Sequence, residues 1–218
     1  VKAPAFWAVD GVAARLLAPA GAVYAAAGAV RWRLAGAAAA PLAVVCVGNA
    51  TVGGTGKTPL ALALIERLAR RGFAVHALCR GHGGRLRGPV RVDPARHRVA
   101  DVGDEALLLA AVTPTWAGRD RLAAARAAAA AGAEVAVLDD GLQYPRLAKS
   151  TSLLVIDAAN GVGNGRVVPA GPLREPLSRA RDRADAVVLV GDGPPPQGLA
   201  GRSFFRARLV PTAQAAAL

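Results

Sequence analysis

Aromatic residues are scarce in this chain: Phe, Tyr and Trp make up 4% of its 218 residues. Proteins that hold single-stranded nucleic acid stack bases on aromatic faces, so the scarcity argues against a nucleic-acid partner. Cysteine is nearly absent as well. Cys46 and Cys79 are the only two, each inside an apolar, β-prone run. That excludes a disulfide framework and reads as reduced, packed thiols in a cytosolic setting. Acidic residues number 15 against 27 Lys and Arg, a formal net charge of +12. Such an excess points to acidic partners: nucleic acid, anionic lipid or phosphorylated substrates. No stretch combines the length and apolarity expected of a membrane span. The closest, Leu16 to Val30, is uncharged but broken by Pro19, with Arg15 before it and Arg31 and Arg33 behind. Phe6, Trp7, Tyr24 and Trp32 surround that run, which suits a helix lying in a membrane interface or one packed on the domain.

What the chain does have is a glycine-rich loop in a particular setting. Leu42 to Val47 is an uncharged strand-like run, and Pro59 to Leu68 carries apolar residues at helical spacing. Between them lie Thr51, Val52, Gly53, Gly54, Thr55, Gly56, Lys57 and Thr58. A strand, a glycine-rich turn, Gly-Lys-Thr and a helix are the context a phosphate-binding loop requires. Glycines let backbone N–H groups converge on phosphate oxygens, and the helix N-terminus adds partial positive charge. Lys57 supplies an ammonium for the outer phosphates, and the Thr58 hydroxyl is placed for Mg²⁺. Thr51 stands where the strict pattern has glycine.

A second chemical element follows. Glu134 to Gly141 is an apolar strand ending in Asp139 and Asp140, the pattern in which a carboxylate reaches Mg²⁺ directly or through water. If the strand continued, adjacent aspartates would point to opposite faces and do different jobs. Asp104 and Glu105 open an apolar helix, where a carboxylate is either a cap or a functional group. Arg80 to Gly84 is a Gly-rich turn after a strand at Phe73 to Leu78, a position where open α/β sheets place ligands. Short strands are expected at 90–94 and 97–99 around a turn, and a solvated arginine face on a helix over Arg119 to Ala131. Gly163 to Pro176 is too rich in Gly and Pro for regular structure, and loops of that length are usually functional or disordered. Alternating strands and helices after residue 41 predict an α/β fold, of the P-loop NTPase type, with a mainly parallel sheet and flanking helices. Three regions are expected: residues 1–40, an amphipathic membrane-associated helical region; 41–191, a P-loop kinase domain; and 192–218, a linker and the beginning of an incomplete C-terminal domain.

Taken together, these motifs resemble the tetraacyldisaccharide 4′-kinase family. The likeness rests on Val47-Gly48-Asn49 with Thr51 to Pro59, Arg80-Gly81 with Gly83-Gly84, Val102 to Glu105, and Asp139 to Gln143. It continues through Gly163-Asn164-Gly165 and Pro169 to Pro176. The resemblance implies transfer of the ATP γ-phosphate to the 4′-hydroxyl of a tetraacylated glucosamine disaccharide 1-phosphate, in lipid A biosynthesis. It also implies Mg²⁺ as cofactor and peripheral attachment, through the N-terminal helix, to an anionic membrane surface at the cytoplasmic face of the bacterial inner membrane. No protein partner is implied. By the same resemblance Asp104 receives the hydroxyl proton, with Glu105, Lys57 and Asp140 beside it in catalysis. Thr58, Asp139 and Asp140 hold the metal, and Asn49, Arg80, Gln143, Arg174 and Glu175 face substrate.

The chain departs from the family pattern at His82, at Ala106 and at Tyr144-Pro145, and by the resemblance Leu218 is expected to fall before the smaller domain that supplies a histidine to the base in the family. Ser203 to Val210 is expected to be a strand that frays or pairs with a neighbour, and the chain is expected to bind nucleotide yet phosphorylate lipid poorly. Rival readings are a P-loop ATP-binding protein of another class and a nucleotide-binding remnant without turnover. Val52 sits where partitioning ATPases carry a lysine, and there is no Asn/Thr-Lys-x-Asp base reader of the GTPases.

Overall fold

The computed structural model describes residues 3–199 and 201–210. Val1, Lys2, Ala200 and residues 211–218 lie outside the described residues, and with them the ends of the first and third expected regions. A short 3-10 turn, Ala5–Trp7, leads into helix α1, Val12–Leu34. Ala14, Ala18, Gly21, Ala25 and Trp32 fall on one stripe of α1 and are buried or half-buried. Small residues there let the helix lie close to the body: a Cβ on Gly21 would stand 2.8 Å from the Val167 carbonyl oxygen. The opposite stripe, Val12, Leu16, Val23, Val30 and Leu34, is exposed. The outward stripe is thus apolar, while Arg15, Arg31 and Arg33 are exposed on the same helix. By length and composition alone α1 is long and apolar enough to cross a membrane, which corrects the expectation that no stretch qualifies.

The α/β body follows. Strand β1 (Ala43–Gly48) feeds helix α2 (Lys57–Ala69), and β2 (Val75–Cys79) is followed by the two-residue β3 (Val90–Arg91). Helices α3 (Val99–Val102) and α4 (Asp104–Ala110) precede β4 (Thr115–Ala117), α5 (Arg121–Ala130) and β5 (Val135–Asp139). Then come β6 (Thr151–Asp157), α6 (Leu177–Arg183), β7 (Ala186–Val190) and β8 (Ser203–Ala207). They form one eight-stranded sheet in the order β3-β4-β2-β5-β1-β6-β7-β8. Every pairing is parallel except β3 with β4. Parallel strands covered on both faces need apolar side chains on both, and β2, β5 and β7 are buried at every position. Leu138, Leu154 and Leu189 pack into one face cluster, and Val47, Val137 and Ile65 into the other. Alternation along each strand divides them.

Three local expectations change. The short strands expected at 90–94 and 97–99 do not pair around a turn: Val90 and Arg91 pair with Ala117 and Trp116 of β4 instead. Asp93 turns the chain by accepting the Ala95 N–H at 2.9 Å, and Asp101 accepts the Arg98 N–H at 2.9 Å to start α3 where a strand was expected. The arginine face of α5 is not wholly solvated, because Arg121 is buried and its guanidinium lies 4.7 Å from the centre of the Tyr144 ring. The strand anticipated over 203–210 forms as β8 and pairs with β7, in register Ala186↔Ser203 to Val190↔Ala207. Its apolar side chains Phe204 and Phe205 stay partly exposed on the sheet edge.

Candidate active site

The parallel register decides what meets what. Val47 of β1 lies beside Asp139 of β5, so the phosphate loop and the acidic strand end emerge from the same edge of the sheet. Gly56 takes φ 79°, a left-handed conformation that a side chain disfavours, and the chain turns there directly into α2. Thr58 Oγ1 then donates to Asp139 Oδ2 at 2.8 Å, tying the loop's end to β5. Asp139 is 2% exposed, and burial pushes its carboxyl up to about 6 against the opposing Thr58 hydrogen bond. Its Oδ1 has no hydrogen-bond partner among the described residues.

Strand β5 ends at Asp139, and Asp140 adopts φ 53°, so the two aspartates do not alternate across the sheet. Both turn toward the loop. Arg174 Nη1 donates to Asp140 Oδ1 and Oδ2 at 2.8 and 2.9 Å, and Lys57 Nζ stands 3.9 Å from Oδ1. Burial works against the Asp140 carboxylate, but the Arg174 and Lys57 charges outweigh it and hold its pKa below the usual value. Burial likewise lowers the Lys57 ammonium pKa, with Asp140 opposing. A carboxylate thus aims two cations at the space above the glycine loop.

That space is a cleft of about 1240 Å³. The loop from Val52 to Pro59 forms its floor, with Arg80, Glu105, Asp140, Gln143, Arg174 and Glu175 around it. Gln143 Nε2 donates to Glu175 Oε1 at 3.0 Å and to the Asn49 carbonyl at 2.8 Å. The Gly-rich turn after β2 presses on the segment that opens α4: a Cβ on Gly103 would collide with the His82 carbonyl oxygen. This packing positions the carboxylate pair. Glu105 lines the cleft, whereas Asp104 is exposed, is not among the lining residues, and accepts the Glu105 N–H at 3.0 Å. Asn49 is fully buried, and its Nδ2 reaches Thr51 Oγ1 and Gly53 O at 3.4 Å, bracing the loop from beneath. Thr51 and Thr55 are buried in the same support.

The last wall was not legible as such in the sequence. It is the inner side of α1, from Tyr24 to Arg33, together with Arg179 and Arg183 of α6. Arg31 Nη2 donates to the Gln143 carbonyl at 3.3 Å. Trp32 lies under the Arg183 guanidinium, 4.0 Å from ring centre, and Lys149 approaches within 5.5 Å. Trp32, which the flanking pattern suggests is a membrane anchor, packs against Arg183, while Arg31 and Arg33 are exposed. The small-residue stripe at 14, 18, 21 and 25 was the available signal for that orientation.

Comparison with known proteins agrees with this arrangement. The family described as tetraacyldisaccharide-1-P 4′-kinase matches residues 13–217. A tetraacyldisaccharide 4′-kinase of Rhodospirillum centenum is 56% identical, over all of this chain and 67% of its own length. The Parvibaculum lavamentivorans protein of the same name is 56% identical over 92% of this chain and 58% of its own. The chain thus spans about three fifths to two thirds of these relatives. The crystal structure of LpxK from Aquifex aeolicus in complex with ATP superposes with a TM-score of 0.76 at 29% identity, covering 88% of this chain and 64% of that one. With the sheet order, the phosphate loop and its acidic partner all in place, the chain belongs to the tetraacyldisaccharide-1-P 4′-kinase family.

Proposed function

We propose that this chain binds ATP in the cleft and transfers its γ-phosphate to the 4′-hydroxyl of a tetraacylated glucosamine disaccharide 1-phosphate. The observation that carries the reading is the convergence of Lys57, Asp140, Arg174 and Glu105 on one cleft whose far wall is an apolar helix. Phosphoryl transfer needs positioning and charge neutralisation more than covalent catalysis. The loop N–H groups and the α2 N-terminus take the phosphates, with Lys57 and Arg174 on the outer oxygens and Asp140 orienting both cations. Asp104, at the first position of α4, accepts the hydroxyl proton, with Glu105 beside it in the cleft. Gln143, Glu175 and Arg80 border the acceptor side.

The residues fit Mg²⁺. Asp139 keeps one buried oxygen without a partner, beside the Thr58 hydroxyl, and hard oxygen donors of this kind suit that ion. Thr58 and Asp139 would hold it, and it would neutralise charge on the β- and γ-phosphates. Asp140, engaged with two cations, serves as their partner.

In this reading the protein sits peripherally on an anionic membrane, at the cytoplasmic face of the inner membrane, and the exposed apolar stripe of α1 supports it. That position delivers a lipid acceptor to the cleft. The inner stripe is spent on the protein, so the helix lies along the surface.

Calorimetry with ATP and a radiolabelled transfer assay on the acylated disaccharide test the assignment. Lys57→Ala should abolish transfer and weaken ATP binding. Asp104→Asn should lower turnover by about 10²–10⁴-fold with ATP affinity nearly intact, since an amide cannot take the proton. Unchanged turnover in Asp104→Asn beside a dead Glu105→Gln would move the base to Glu105.

A further inference from the structure

The N-terminal segment, the Ala5–Trp7 turn and α1 together, is joined to the phosphate loop by two routes. The first runs through side chains. The Trp32 ring holds the Arg183 guanidinium at 4.0 Å, and Arg183 is ion-paired with Glu175. Glu175 accepts from Gln143, whose amide also holds the Asn49 carbonyl, and Asn49 braces Thr51 and Gly53. The second route runs through the backbone of the 163–176 segment. At one end the Asn164 N–H donates to the Trp7 carbonyl at 2.7 Å, and Trp7 Nε1 donates to the Pro169 carbonyl at 3.0 Å. At the other end the Val52 N–H donates to the Pro172 carbonyl at 2.8 Å, and the Arg174 N–H to the Ala50 carbonyl at 2.7 Å. Both routes end on residues 49–53, the first turn of the loop.

We propose that Trp32 is a positioning residue for the phosphate loop, acting through Arg183, Glu175 and Gln143, so that the seating of α1 and the grip on nucleotide phosphates are coupled. This rests on the reading of the cleft as an ATP site. The indole does not touch the phosphates. It presents a face on which a planar guanidinium lies flat, and that fixes the direction from which Arg183 meets Glu175. Without the ring, Arg183 gains freedom to swing toward solvent, Glu175 follows its charge partner, and the amide of Gln143 loses one of its two fixed acceptors. The Asn49 carbonyl, and with it the entry of the loop, is then less restrained. Because coupling between sites is reciprocal, whatever steadies α1 tightens nucleotide binding by the factor with which nucleotide steadies α1.

The test is ATP binding by calorimetry on the full chain, with folding followed by circular dichroism. Trp32→Leu should weaken ATP binding by about three- to tenfold, the scale of one cation–π contact. Trp32→Phe, which keeps an aromatic face, should stay within about twofold. Arg183→Lys keeps the charge opposite Glu175 but has no plane to stack, so it should resemble Trp32→Leu and serves if the Leu variant misfolds. Gln143→Ala combined with Trp32→Leu should cost no more than the worse single change, since both break one chain of contacts. Multiplicative losses, or a Trp32→Leu variant that binds ATP as the parent does, would overturn the proposal. If Lys57→Ala also leaves ATP binding intact, the ATP reading itself fails. If Lys57→Ala is defective and Trp32→Leu is silent, only the coupling fails.

Discussion

Replacing Asp140 by asparagine removes one carboxylate from between two cations, and the structure predicts effects of opposite sign on stability and on anion binding. Asp140 accepts both bonds from Arg174 Nη1 at 2.8 and 2.9 Å and faces Lys57 at 3.9 Å. The Arg174 and Asp140 side chains are 26% and 29% exposed, so the charges are screened in part. A hydrogen bond to a charged group contributes about 1.5–3 kcal/mol. Asparagine retains one weaker acceptor and turns an NH₂ toward a cation, which gives a loss of about 2 kcal/mol. At about 2–4 °C per kcal/mol for a chain of this size, the melting temperature should fall by about 4–8 °C. Binding of metal-free pyrophosphate should move the other way. Its phosphates would occupy the space at which Lys57 and Arg174 are aimed, and the competing negative charge has gone. A gain of about tenfold, or 1.4 kcal/mol, is expected. Thermal melts and calorimetry with pyrophosphate, both in excess chelator, read the two quantities. An Asp140→Asn variant as stable as the parent, or one that binds pyrophosphate more weakly, would refute Asp140 as the partner of the two cations.

Gly48→Ala should cost about 1–3 kcal/mol and weaken ATP binding, because the new Cβ would lie 2.5 Å from the Leu142 Cβ and displace the turn after Asp140; an unchanged melting temperature and affinity would contradict this. Burial, and then the charge of Arg91, lower the pKa of His76, whose Nδ1 accepts from Trp116 Nε1 at 3.2 Å. Below its ordinary value of 6.5 the unfolded chain therefore binds the proton more readily, so stability should fall as pH drops through 6.5 and His76→Gln should remove that part of the slope in denaturant titrations. Leu16→Asp and Val23→Asp, both on the exposed stripe of α1, should each weaken sedimentation with anionic vesicles by about tenfold or more, the scale of one buried side chain. Equal sedimentation of both variants would remove that stripe from the membrane contact.

Several features of this chain were set by local sequence. The strand before Gly48, the left-handed turn at Gly56 and the helix from Lys57 follow from β-prone residues, glycine freedom and apolar spacing, all of which act within a dozen residues. The acidic end of β5 was legible for the same reason: an apolar run that stops at a carboxylate can be recognised without knowing its neighbours. The family likeness was legible because these short motifs keep their order along the chain. What tertiary structure alone decided were relations between distant segments. That Asp139 lies beside Val47 is a matter of strand register, which no periodicity specifies. That Asp140 serves Lys57 and Arg174 rather than the opposite face depends on a backbone angle of φ 53° held by packing. Glu105, and not Asp104, lines the cleft because the Gly-rich turn presses on Gly103 and sets the first turn of α4. The pattern of Trp32 and its neighbouring arginines suits a membrane interface equally well. Only the close approach of Gly21 to the Val167 carbonyl, which rotates the small-residue stripe inward, turned Trp32 onto Arg183 and made α1 a wall of the site.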